Sequence, residues 1–150
     1  MDMLKPLFIA FFMLLGSTAH ATERASDVVQ VKGQFARASI PGMGMSAIFM
    51  TLTNTGQLEH LLVEADSSVA DNTELHGHVM QDGMMRMRQM AHLHLKPGQD
   101  KILQPGGLHI MLIGLTSALT DGSGFKLKLT YDDGSEQILT VPVKSISAKH

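Results

Sequence analysis

Four side chains, His76, Met87, His109 and Met111, carry the most specific chemistry in this sequence. Ten residues lie between the first two, twenty-one between Met87 and His109, and one between His109 and Met111. Donors drawn from three separate segments need a folded scaffold before they can meet. Thioether sulfur is soft and uncharged, a poor ligand for zinc, magnesium or calcium and a good one for Cu(I), so two imidazoles with two thioethers fit a cuprous ion best. The chain has no cysteine, which suits an oxidising compartment where thiols form disulfides and thioethers cannot. Methionine has no proton to lose, whereas each imidazole must be neutral to bind, so the two histidines alone would make metal affinity fall in acid.

Side chains alternate between the faces of a strand, and that rule places these donors. Over residues 73–80, Leu75, Gly77 and Val79 take one face, suited to a core, and Glu74, His76, His78 and Met80 take the other. Asp82-Gly83 is a two-residue hairpin signal. Its register sets Met80 opposite Met85 and His78 opposite Met87, which leaves His76 diagonal to Met87. A three-residue loop would instead turn Met85 and Met87 to the other face. In the apolar run 108–113, His109 and Met111 share one face while Ile110 and Leu112 share the other.

The remaining elements must be strands too. Residues 29–38 and 45–53 read as the first two, the second apolar on both faces and therefore central, with a Pro41-Gly42 turn between them. Residues 60–65 follow the Asn54-Thr55-Gly56 turn; 93–95 and 101–103 flank the Pro97-Gly98 turn, and Pro105-Gly106-Gly107 delivers His109. Phe125, Leu127, Leu129 and Tyr131 alternate with outward Lys126 and Lys128, and Asp133-Gly134 turns that strand into 137–143. Many short strands between turn signals, with no long helical period, predict a single all-β sandwich or barrel.

Residues 1–21 have the pattern of a secretory signal peptide: Lys5, an apolar run over 7–15, and Ala19-His20-Ala21 as the small-residue cleavage site. That apolar run is shorter than the ~20 residues a bilayer span needs. No cysteine follows it, so neither a lipid attachment nor a membrane anchor is expected after cleavage. Residues 22–150 then form one secreted domain. A net charge of −2 and the absence of tryptophan leave no electrostatic or stacking footprint for nucleic acid. Nothing calls for an oligomer, and a monomer is expected.

These residues also carry a resemblance. The spacing of His76, Met87, His109 and Met111, together with Thr-Glu-Leu-His at 73–76, Gly-Met-Met-Arg-Met-Arg at 83–88 and Pro-Gly-Gly-Leu-His-Ile-Met-Leu-Ile-Gly-Leu at 105–115, is similar to the periplasmic copper chaperones of the PCuAC type. The resemblance extends from about Val28 to Val143. It implies a cupredoxin-like Greek-key β-sandwich that carries Cu(I) and helps load the copper centres of respiratory oxidases, through the oxidase subunit itself or an assembly factor. Two departures stand out. Where some members place methionine directly after the first histidine, this chain has Gly77 and then His78, an additional candidate ligand. Many members also end in a histidine- and methionine-rich tail where this chain shows Lys149-His150, which leaves a second, Cu(II)-binding site an open question.

Plainer readings apply to each donor. Met111 in an apolar strand could be core filler, and His76 and Met87 could decorate a solvated hairpin. A core His109 would need partners for its ring nitrogens. Met80, Met84, Met85 and Met90 fit an apolar rim, Met43 and Met45 flank Gly44 beside a turn with an auxiliary ligand role only as the minor alternative, and His60, His92 and His94 default to solvated positions. Among functions, a blue-copper carrier needs a cysteine thiolate, which is absent; zinc hydrolysis needs three histidine or carboxylate ligands and an open position. No nucleophile elbow supports triad chemistry. Cleavage after Ala19 would expose His20 as an amino-terminal Cu(II) chelate of the copper-oxygenase kind, but Ala-His-Ala is the better cleavage site. The expectation is a carrier, not an enzyme. A periplasmic copper-buffering or resistance protein is the alternative that uses the same ligands.

Overall fold

The computed structural model describes residues 22–145; the expected signal peptide with His20, and the carboxy-terminal Lys149-His150, lie outside them. The fold is all-β. After a single helical turn, α1 (Ala25–Val28), come β1 (Val29–Arg37), β2 (Met45–Asn54), β3 (His60–Asp66), β4 (Ala70–Gln81), β5 (Met84–Gln89), β6 (Leu93–Leu95), β7 (Asp100–Leu103), β8 (His109–Leu115), β9 (Gly124–Tyr131) and β10 (Glu136–Lys144). The short helix is absent from the sequence reading. Most strands begin and end within a residue or two of the expected bounds, because turn residues punctuate nearly every boundary; β4 begins three residues earlier than the expected 73. No helix among the described residues is long and apolar enough to cross a membrane.

Strand order is β5-β4-β8-β2-β1-β10-β9-β3-β6, with β7 also paired to β2. β1 and β10 meet in a two-position parallel bridge, Ala36 with Val143 and Arg37 with Lys144, so one sheet folds over into two layers. β2 is central as expected: it pairs along one edge with β1 and along the other first with β8 and then with β7. Ile48, Leu52, Ile110 and Leu112 from one layer and Leu62, Leu127, Leu129 and Val141 from the other are essentially inaccessible and form one core. Each such side chain contributes roughly 1.5–3 kcal/mol through burial. The outer face of β2 is covered at Phe49, which packs on Phe35 (ring centroids 5.4 Å) and lies under the Arg37 guanidinium.

Two expectations are corrected. His60 is buried, not solvated: it shares the inward face of β3 with Leu62, and its ring sits between the carboxylates of Glu23 and Asp132, 3.5 and 3.7 Å away. Met90 is not on the rim but packs against the core, occupying the space that a side chain at Gly77 would need. His94 is solvated as expected and is bonded to Glu59 (2.6 Å), while neighbouring His92 is half-buried.

The first described residues are fastened by acids. Glu23 accepts hydrogen bonds from the Gln57 and Leu58 amides at 3.0 and 3.1 Å, and these backbone bonds hold its carboxyl below the usual range. Burial pushes Asp133 upward, but hydrogen bonds from Ser135 and the Ala25 amide outweigh it and leave its pKa lowered. A depressed carboxylate pKa contributes stability that is present above the unfolded-state pKa and lost as pH falls through the folded one. Glu23→Gln should therefore lower the urea midpoint at neutral pH, and the gap to the parent should close in acid.

Candidate metal centre

Three strands build the site. Asp82 and Gly83 both have positive φ, 52° and 74°, the conformation of a two-residue type I′ turn that matches strand twist. That turn fixes the β4–β5 register: Met80 stands opposite Met85, His78 opposite Met87 and His76 opposite Gln89. On the other edge of β4, His76 stands opposite His109 and Glu74 opposite Met111. Paired residues in a ladder project to the same face, so His76, His78, Met87, His109 and Met111 all lie on the outer face of one layer. Leu75, Ile110 and Leu112 fill the inner one.

The closest pair is His76 with His109, whose ring centroids are 5.7 Å apart. Met111 is one diagonal step from His76 across the β4–β8 ladder, and Met87 one diagonal step across the β4–β5 ladder. Diagonal neighbours in a sheet are roughly 7–8 Å apart at Cα, within reach of side chains as long as methionine. His76, His109 and Met111 are half-buried, while Met87 is 38% exposed. His78 is exposed beyond Met87, at the rim of the set.

Hydrogen bonds orient the rings. His109 Nδ1 donates to the Gly107 carbonyl oxygen at 2.9 Å, so the neutral ring keeps its lone pair on Nε2. His76 Nε2 lies 2.7 Å from Glu74 Oε2; an ionised carboxylate only accepts, so this nitrogen carries the proton and Nδ1 the lone pair. Metal-binding histidines are commonly fixed by a carboxylate or carbonyl in this way. Phe49 walls the site, its ring centroid 6.4 Å from that of His109. Glu74, Gly107 and Phe49 were not assigned roles from sequence. Glu74, two residues before His76 on the same strand face, was the available signal.

Among the described residues no group of three or more His, Cys, Asp or Glu side chains is arranged to hold a metal ion. His76 and His109 with Met87 and Met111 bring two imidazoles and two thioethers to this face, with His78 at its rim, a donor chemistry that fits cuprous copper.

Residues 29–143 match the family described as "Putative lipoprotein LpqE-like". This chain belongs to the LpqE-like family. A relative in Leifsonia xyli subsp. xyli, "Putative lipoprotein Lxx21020", is 35% identical over 134 residues, which is 89% of this chain and 80% of that protein. A second, "Uncharacterized protein RP573" of Rickettsia prowazekii, is 29% identical over 99 residues and is covered over 55% of its length. The lipoprotein description belongs to the family model and to the Leifsonia relative.

The fold of this LpqE-like chain is that of solved PCuAC domains. It superposes on the copper-bound PCuAC domain from PmoF2 with a TM-score of 0.69 at 16% identity, covering 81% of this chain and 97% of that one. Apo-DR1885 from Deinococcus radiodurans gives a TM-score of 0.63 at 27% identity with both chains fully covered. The Cu(I) form of DR1885 gives 0.59 at 27% identity, covering 85% of this chain and 87% of that one. The cupredoxin-like sandwich expected from the sequence is thus the observed architecture.

Proposed function

We propose that this protein is a periplasmic Cu(I) carrier whose cargo is held by His76, Met87, His109 and Met111, with His78 as an additional ligand available for exchange. In this reading residues 1–21 are a cleaved signal peptide and residues 22–150 the copper-binding domain. The observation that carries the proposal is the cross-strand pairing of His76 with His109, with Met111 and Met87 on the same face. Solved copper-bound relatives of the same fold support it.

The chemistry is binding and release, not catalysis. All four donors are uncharged when they bind, so the cuprous ion keeps its single positive charge and no proton is displaced from sulfur. Glu74 and the Gly107 carbonyl hold the imidazoles in the tautomers described above. Exposed Met87 is the donor an incoming partner reaches first, and it can be replaced by a partner's ligand while the histidines still hold the ion. The receiving protein, in line with the PCuAC resemblance, is a respiratory oxidase copper-centre subunit or an assembly factor for it.

Cu(I) titration against a competing chromophoric chelator should show tight binding that is lost on substitution of either histidine by alanine. Deleting the gene should then lower the copper content of the oxidase. A deletion strain with normal oxidase and greater copper sensitivity would make the protein a buffer instead.

A further inference from the structure

Beside the three-strand centre lies a cavity of about 180 Å³ lined by Met43, Met45 and Met111, with Ile40, Ala47 and Arg37 among the remaining walls. We infer that Met43, Met45 and Met111 form a second, all-thioether Cu(I) station that shares Met111 with the centre on β4, β5 and β8. This rests on the copper-carrier reading above and adds a path to it.

The ladder sets the geometry. Ala47 stands directly opposite Met111 and Met45 opposite Ile113, so Met45 is one diagonal step from Met111 on the outer face. The small side chain of Ala47 leaves room between them. Met43 comes from the β1–β2 loop, whose turn is closed by a bond from the Met43 amide to the Ile40 carbonyl (3.0 Å). Between the two methionines, the Gly44 carbonyl accepts from both the Gly114 and Leu115 amides at 2.9 and 3.0 Å, pinning the loop to β8 where Met111 sits. Core filling does not explain these positions, because Met43 and Met45 are 48% and 41% exposed.

The donor set selects its ion. No histidine or carboxylate lines the cavity, so hard cations find no ligand there, whereas Cu(I), a closed-shell soft ion, accepts three neutral sulfur donors. Methionine's flexible side chain lets the sulfurs converge without moving the backbone. The one charged wall, Arg37, lies over the Phe49 ring at 5.3 Å and disfavours a divalent ion more than a monovalent one. Copper passes between the stations by exchanging His76, His109 and Met87 for Met43 and Met45 while the Met111 sulfur stays bound. It remains cuprous throughout, and no electron is transferred.

The test uses the mature protein, Cu(I) and X-ray absorption at the copper edge. His76→Ala/His109→Ala should retain a weaker Cu(I) with sulfur as its only protein donor, and adding Met43→Leu/Met45→Leu should abolish that binding. In the otherwise unaltered protein, Met43→Leu/Met45→Leu changes two exposed side chains, leaves the fold intact, and should slow release to a competing chelator several-fold with little change in tight affinity. Failure of the folded histidine variant to bind Cu(I), binding that survives the added leucines, or an unchanged release rate each overturns the station. Should removing both histidines leave affinity at the parental value while the two leucines abolish binding, the station stands and the mixed imidazole–thioether reading fails.

Discussion

Exchanging Met87 and Met111 together for leucine should leave a folded protein that no longer holds Cu(I) tightly. Leucine conserves volume and apolarity, and such swaps cost less than about 1.5 kcal/mol per site even in a packed core; Met87, at 38% exposure, should fall well below that. Copper affinity should drop by more than the ~10–100-fold typical of losing a group that merely supports a ligand, because two of the four proposed donors disappear. His76 and His109 would remain, still paired across the β4–β8 ladder, and could hold Cu(II) or Zn(II) weakly, so selectivity should move toward harder ions. Denaturant unfolding together with chelator competition separates the outcomes. A double variant that binds Cu(I) like the parent, with sulfur still around the metal, would shift the primary site to other methionines.

Ile110→Ala should do the reverse and cost fold stability first. Ile110 lies between His109 and Met111 in sequence but points inward, fully buried against the core. Truncating a buried isoleucine to alanine removes transfer energy and leaves a cavity, together about 2–5 kcal/mol. For a domain of this size that is a substantial part of total stability. The denaturant midpoint should fall sharply. Copper binding measured under conditions where the variant is still folded should change far less than in the methionine double variant, since no donor is lost. A midpoint within experimental error of the parent would mean that the two layers do not depend on this contact.

The contrast between these variants reflects what was legible in the sequence. Met87's face could be read because Asp82 and Gly83 form a two-residue turn, and turn length fixes parity. The pairing of Met80 with Met85 and of His78 with Met87 follows from that turn alone. The pairing of His76 with His109 could not be read in the same way: β5, β6 and β7 intervene, and no local turn sets the β4–β8 register. Spacing grouped these four residues as a candidate set, and the ladders place them on one face of β4, β5 and β8. His60 was misplaced for a related reason, since Glu23 and Asp132, which flank its ring, are remote in sequence. Leu62 on the same face was a clue to its burial. Met90 turns inward because Gly77 leaves space for it, a match between β4 and the exit of β5 that no periodicity reveals.

The alternation in β8 bears on how such a protein can change over evolutionary time. His109 and Met111 face outward while Ile110 and Leu112 sit in the core, so gaining or losing one residue before them within the strand would expose the apolar pair and drive the imidazole and thioether inward. Ligand replacement in place remains open, one side chain at a time, but a single-codon insertion or deletion within β8 would damage the proposed copper site and the fold together. Length variation among descendants should therefore collect in the turns, and the register of β4 against β8 should persist even where the metal it serves has changed.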